Sequence, residues 1–199
     1  TNAVNHVTKR TYDYSSGEVK QTTDPNLNIF QSSYDGLDRI LDRKQPNVVA
    51  TTTLETLVSY VYTDAAGSVK VQESKQLDGS IVADNYSYFD GLGRIIQTRQ
   101  EAEATSTYAV IDTDYNSRGL VEKESLPYFS TGSSRTTATT IAALYTNYSY
   151  DVLERLTAAQ NAAGTTSRAY DDWKTTVTDP NSNDRRVYKD AYSNLVKVE

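Results

Sequence analysis

The stretch Ser87–Glu101 reads SYFDGLGRIIQTRQE. At its centre Gly91-Leu92-Gly93-Arg94 follows an aromatic run, and two readings compete for it. A glycine-rich loop that cradles phosphate would point to an enzyme or a nucleotide binder. A tight turn between two strands would make it one corner of a β structure. Three features favour the turn. The third glycine of a G-x-G-x-x-G loop would fall on Ile96. No helical apolar period follows, so no helix N-terminus would face an anion. The third feature lies elsewhere in the chain, where the same frame recurs with carboxylates in place of the second glycine.

Tyr34-Asp35-Gly36-Leu37-Asp38-Arg39-Ile40 and Tyr150-Asp151-Val152-Leu153-Glu154-Arg155-Leu156 match Phe89-Asp90-Gly91-Leu92-Gly93-Arg94-Ile95 position by position. Weaker copies run from Asp64 to Val69 with Gly67, from Asn116 to Val121 with Gly119, and from Asp190 to Leu195. Tyr12–Val19 resembles them with one extra residue. The Asx positions 35, 64, 90, 116, 151 and 190 are separated by 29, 26, 26, 35 and 39 residues. A second motif keeps the same frame. Thr23-Asp24-Pro25-Asn26 and Thr178-Asp179-Pro180-Asn181 each place their Asp eleven residues before a repeat Asp, at 35 and 190.

Asp or Asn, two variable residues and then Gly is the preference of a type I turn. The Asx side chain accepts backbone N–H groups inside the turn, and glycine takes positive φ without steric cost. Each copy therefore predicts a β-hairpin with a loop of about four residues. Asp38, Glu154 and Ser193 occupy the glycine position. Glu154 would cost about 1–2 kcal/mol at positive φ, the alternative being another geometry for that turn. Arg39, Arg94 and Arg155 are expected to pair with acids or to stack on a tyrosine of a neighbouring copy. Short helices are allowed only at Thr137–Leu144 and Val152–Ala163. The polar stretch 130–140 reads as a loop inserted between copies, and Pro46–Thr53 as a second one. The fold class predicted is all-β: one array over residues 1–199, six to seven antiparallel hairpins in a continuous curved sheet.

Composition narrows function. The chain has 26 Asp+Glu against 20 Lys+Arg and no block of like charge, which argues against nucleic acid as a partner. No apolar run reaches the length of a membrane span. Cysteine is absent, which removes disulfides, thiolate nucleophiles and thiolate metal sites. His6 is the only histidine, so multi-histidine metal sites are also removed, and neither metal nor cofactor is expected. Paired carboxylates could serve a glycosidase, with Asp171-Asp172 beside the single Trp173 as the best local candidate. Ordinary turn chemistry explains those acids better. Asn85-Tyr86-Ser87 and Asn147-Tyr148-Ser149 match the glycosylation sequon, a pattern too short to weigh alone. The 16 tyrosines against 3 phenylalanines suit extended sheet whose faces stay partly wet. Methionine is absent even at position 1, so the chain reads as a piece of a longer or processed polypeptide.

Tyr-Asp-x-x-Gly-Arg followed by an aliphatic residue, repeated and preceded by Thr-Asp-Pro-Asn, resembles the Rhs/YD-repeat family over Tyr12 to the end. The resemblance implies a long β-sheet spiralling into part of a hollow shell. In bacterial members that shell encloses a toxic domain. The structural repeat turns would then be carried by Asp35, Arg39, Asp64, Gly67, Asp90, Gly93, Arg94, Asn116, Gly119, Asp151, Arg155 and Asp190. The family's self-cleaving aspartate segment is not found here, since neither Asp24-Pro25 nor Asp179-Pro180 has its surroundings. The expected function is non-enzymatic: a secreted or cell-surface scaffold that encloses or displays a toxin or effector. Its partners would be further repeats, or copies of itself joined through strand edges. An extracellular fibre subunit is the alternative, followed by a carbohydrate-binding adhesin using Trp173 as a ligand contact.

Overall fold

A computed structural model describes residues 6–47, 53–79, 81–136 and 145–199. Among the described residues there are 17 β-strands and no helix, and the strand pairs are antiparallel. No helix is therefore long and apolar enough to cross a membrane. The chain forms two compact units, one of Thr1–Arg94 with Arg99–Thr105, the other of Ile95–Thr98 with Ser106–Glu199.

The first unit is a meander of β1 (Lys9–Tyr12), β2 (Val19–Thr23), β3 (Ile29–Tyr34), β4 (Ile40–Pro46), β5 (Leu54–Ala65), β6 (Ser68–Asp78) and β7 (Ile81–Phe89). Each strand pairs with the next. Strand β8 (Ile95–Glu101) follows, its first four residues counted with the second unit. The second unit continues with β9 (Thr107–Tyr115), β10 (Val121–Ser125), β11 (Tyr128–Thr131), β12 (Tyr145–Tyr150), β13 (Leu156–Asn161), β14 (Gly164–Asp171), β15 (Lys174–Thr178), β16 (Asp184–Lys189) and β17 (Leu195–Val198). Strands β12 to β17 again pair in sequence.

The meander is interrupted once. Strand β9 pairs with β10 through residues 113–115 and with β11 through residues 107–110. Strands β10 and β11 thus behave as one strand broken at Leu126-Pro127, where proline has no N–H to give the ladder. Strand β12 returns to pair with β10. This excursion accounts for the 35-residue interval between Asn116 and Asp151. Of the polar stretch 130–140 read as a loop, Ser130 and Thr131 end β11, while 137–140 lie outside the described residues. Pro46 ends β4, and 48–52 lie outside the described residues.

Alternation decides which side chains are covered, because successive strand residues point to opposite faces. In β9, Tyr108, Val110 and Asp112 are buried while their neighbours are not. The buried apolar residues described are Val58, Val110 and four tyrosines, Tyr86, Tyr88, Tyr108 and Tyr145. Each ring packs with its body and leaves a hydroxyl to be satisfied, a use of tyrosine suited to thin, half-wet sheet.

The helix allowed at Val152–Ala163 is absent: the segment forms a turn and β13. Val152 and Leu153 face solvent at the tip, and the residues after Leu156 enter a ladder with both β12 and β14. Ladder pairing on two sides outweighs the modest helix preference of the alanines. The second expected helix, Thr137–Leu144, lies outside the described residues.

Candidate functional site

The repeated feature is the hairpin tip, and three copies are nearly superposable in their bonding. At Asp35 the backbone N–H bonds to the Arg39 carbonyl at 2.9 Å and the carbonyl accepts the Asp38 N–H at 3.1 Å. The Asp35 carboxylate Oδ1 accepts the N–H groups of Leu37 and Arg39 at 2.9 and 3.0 Å, and Oδ2 accepts Nε of Arg39 at 2.7 Å. Asp90 repeats this with Leu92 and Arg94, and Asp151 with Leu153 and Arg155. The loop proper therefore has three residues, one fewer than expected: a type I turn followed by a left-handed residue, with a bulge in the ladder behind it. Gly93 holds that left-handed place at φ +76°, while Gly91 does not have positive φ.

Asp38, Glu154 and Ser193 adopt φ of +60°, +63° and +65° in the same place. The Glu154 turn thus keeps the common geometry and carries the steric cost of a side chain there. Asn116 builds the turn with its amide oxygen, Gly119 at φ +83° and Leu120 closing it. Asp64 does not. Residues Ala65 and Ser68 pair directly across a two-residue loop containing Gly67 at φ +75°, and Asp64 turns its carboxylate to Nη1 of Arg39 at 2.9 Å.

Two further turns, which the sequence marks as turns, prove to be built like the others. The Thr-Asp-Pro-Asn motifs are the same device: Asp24 accepts Asn26 and Asn28, with Leu27 at φ +68°, and Asp179 accepts Asn181 and Asn183, with Ser182 at φ +65°. Their closing residue is Asn in place of Arg, as it is in the Asp190 turn, where Asn194 donates Nδ2 to the aspartate. Tyr170-Asp171-Asp172-Trp173-Lys174 is a further copy between 151 and 190, shortened to a two-residue loop with Asp172 at φ +49°. It divides the 39-residue interval nearly in half.

Tyrosine links five hairpins to an earlier one. Tyr34 donates its hydroxyl to the Val19 carbonyl at 3.2 Å, Tyr62 to Ile40 at 2.9 Å, Tyr115 to Ile95 at 2.9 Å, Tyr150 to Val121 at 2.9 Å and Tyr170 to Leu156 at 2.8 Å. In each pair the acceptor is the first residue of the strand leaving the previous tip on the same rim, and the donor stands in the strand that enters its own tip. Arg39 and Arg155 close over the same tyrosines, with guanidinium carbons 4.3 Å from the ring centres of Tyr62 and Tyr170. Arg118 also reaches forward, donating to the Asp151 carbonyl at 2.8 Å.

These contacts set the acidity of the tips. Side-chain amides of Asn28, Asn183 and Asn194 hold Asp24, Asp179 and Asp190 below the usual carboxylate range. For Asp90 the Arg94 backbone N–H leads. Partial desolvation pulls Asp35 and Asp151 upward, and donors from Arg39 and Arg155 outweigh it.

A second constellation is buried. Gln97 on β8 is fully covered, and Asp112 and Ser125 nearly so. Nε2 of Gln97 donates to Asp112 and to the Thr136 carbonyl, both at 2.5 Å. The Tyr128 hydroxyl donates to the other Asp112 oxygen at 2.7 Å, and the Asp112 N–H bonds to Oγ of Ser125 at 2.8 Å. This network pins the β11 excursion, through Tyr128 and Thr136, to the β8 and β9 strands. No buried side-chain polar atom lacks a partner among the described residues. Among those residues no group of three or more His, Cys, Asp or Glu side chains is placed to hold a metal. Trp173 lies at a hairpin tip, 59% exposed.

No curated protein matches the chain. Solved structures that share its fold include the crystal structure of TcdB2-TccC3, with a TM-score of 0.76 at 17% identity, and that of TcdB2-TccC3 without its hypervariable C-terminal region, with 0.79 at 13%. Each match covers 96% of this chain but only 13% and 15% of those chains. Residues 58–189, the greater part of the chain, match the family described as "Domain of unknown function (DUF6443)". The chain belongs to that family.

Proposed function

We propose that this chain is a structural wall of the Rhs/YD-repeat type, whose action is mechanical and involves no chemical step of its own. The observation that carries this reading is the tyrosine link, in which each of five hairpins is tied to the strand leaving the previous tip on the same rim. A device that couples neighbours suits an array that must hold a surface together. The shared fold with TcdB2-TccC3 supports the same reading. The wall would enclose or display a toxin or effector outside the cell, with further repeats as its partners. The test is protease protection and negative-stain imaging of the longest natural polypeptide that carries these residues. A hollow particle with a protected internal segment is expected. A chain digested evenly along its length, with no particle, would refute the wall.

A further inference from the structure

Three successive hairpin tips on one rim of the second unit each raise apolar side chains into solvent. Val152 and Leu153 on the β12–β13 tip are 92% and 68% exposed, Trp173 on the β14–β15 tip 59%, and Tyr192 on the β16–β17 tip 87%. Antiparallel pairing from β12 to β17 places these tips on the same rim. The opposite rim of that unit has Ala162, Ala163, Pro180, Asn181 and Ser182 at its tips, with no large side chain among them. At the same position of the same turn, two residues after the Asp, one rim carries Leu153 and Tyr192 and the other Asn181. Turn geometry therefore does not demand the apolar groups.

The knobs are fixed at their backbones. Asp151 accepts the Leu153 N–H and Asp190 the Tyr192 N–H, both at 2.9 Å, and the Trp173 carbonyl accepts the Lys189 N–H at 2.9 Å. Little ordering would remain when a partner arrives, which lowers the cost of binding.

Their pitch selects the partner's conformation. Hairpin tips recur every two strands, about 9.6 Å. Equivalent side chains of an extended strand repeat at roughly 6.7 Å and miss this spacing. A helix repeats a face every seven residues, about 10.5 Å, and drifts by about 2 Å over two steps. A polyproline II segment returns a side chain to the same face every three residues, about 9.3 Å, and stays in register across all three tips. Aromatic shelves are also the surfaces that take proline-rich segments. Charge adds a sign. Arg155 and Lys174 are engaged by Asp151 and Asp171, while Glu154 and Asp172 stand exposed beside Leu153 and Trp173.

We propose that this rim binds a basic, proline-rich segment in the polyproline II conformation, one ligand turn to each of Leu153, Trp173 and Tyr192. The probe is a fluorescein-labelled (Pro-Pro-Arg)4 peptide added to the whole chain. Trp173 is the only tryptophan, so its emission reports contact directly. Saturable binding with a blue shift is expected. Trp173→Ala should weaken the anisotropy isotherm about tenfold, and Leu153→Ser or Tyr192→Ser by several-fold each. The Glu154→Gln, Asp172→Asn pair should reduce the salt dependence. These side chains are exposed, so an unchanged β circular-dichroism spectrum separates lost binding from lost fold. Equal binding of (Gly-Ser-Arg)4 would reduce the effect to charge and overturn the proposal. So would indifference to Trp173→Ala, or preference for a helical peptide with Leu every seventh residue and Lys between. None of these outcomes bears on the wall reading, which rests on the tyrosine links.

Discussion

The hairpin tips and the cluster around Asp112 both surround a carboxylate with donors, but they recruit those donors from different distances along the chain. At a tip the donors lie two and four residues ahead of the aspartate. Asp112 draws on Gln97 fifteen residues before it and on Tyr128 sixteen residues after it. The local device is self-contained, and its parts exchange freely. Arg or Asn can close it, and Gly, Asp, Glu, Ser or Leu can occupy its left-handed residue. The buried device has no such freedom, since Gln97, Asp112 and Ser125 are covered polar groups held by one another and by their neighbours.

The same distance separates what could be read in the sequence from what could not. The frame of Asp35, Asp90 and Asp151 is visible because its partners sit at fixed short spacings. The Asp24 and Asp179 motifs are visible as turns, but their identity with the others hides behind the change from Arg to Asn. The copy at Asp171 hides because its loop lost a residue, so the gap before Asp190 looks like one long interval. Tyrosine before aspartate is legible, yet its acceptor is a backbone carbonyl of the previous copy, and a carbonyl leaves no letter in the sequence. For Asp112 nothing local exists to find, because it occupies an ordinary inward position of β9.

The contrast should be sharpest at Asp112. Asp112→Ala takes an acceptor from fully covered Gln97 and from half-buried Tyr128, both of which also donate to the Thr136 carbonyl, and about 3 kcal/mol of stability should be lost in urea unfolding. Asp112→Asn keeps an acceptor oxygen and should recover part of that. Asp90→Ala, at an exposed tip where water replaces the lost bonds, should fall well short of Asp112→Ala. If the two alanine variants cost the same, the distinction between local and long-range devices fails.

Backbone conformation gives the next largest effect. Gly93→Val forces a branched side chain into φ +76° and should cost about 2 kcal/mol, whereas Gly91→Ala should stay within about 0.5 kcal/mol. Space is open around both glycines, so only φ separates them. The converse is Glu154→Gly, which relieves the same strain and should stabilise by about 1 kcal/mol. Equal effects at Gly91 and Gly93 would remove the left-handed residue from the repeat's requirements.

Smaller again is the tyrosine link. Tyr150→Phe keeps the ring and removes the bond to the Val121 carbonyl, for a loss of about 1 kcal/mol. Phe89, which ends β7 where a tyrosine would otherwise stand before Asp90, shows that one link can be missing from the array. Tyr14→Phe, at a fully exposed tip, should change nothing measurable. A silent Tyr150→Phe would mean that neighbouring hairpins are held by the ladder alone.

Acid should produce the smallest effect per residue and the most widely distributed. Asp24, Asp35, Asp90, Asp151, Asp179 and Asp190 are all held below the ordinary value of 3.8. Below 3.8 the unfolded chain takes up protons that the folded tips still refuse, so stability falls as pH drops. The contribution is fully present above that value and disappears as pH passes through each folded value. Urea midpoints should therefore be flat in this respect near neutrality and decline below about pH 4. Asp90→Asn preserves the oxygen that accepts Leu92 and Arg94, loses the ion pair with Arg94, and cannot titrate. It should start from a lower midpoint at pH 7 and decline less steeply in acid. Asp190→Asn, whose partner Asn194 is uncharged, should lose less at pH 7 and still flatten the acid limb. That difference would separate the ion pair from the turn: the acid sensitivity belongs to every capped tip, and the extra stability at neutral pH only to those closed by arginine.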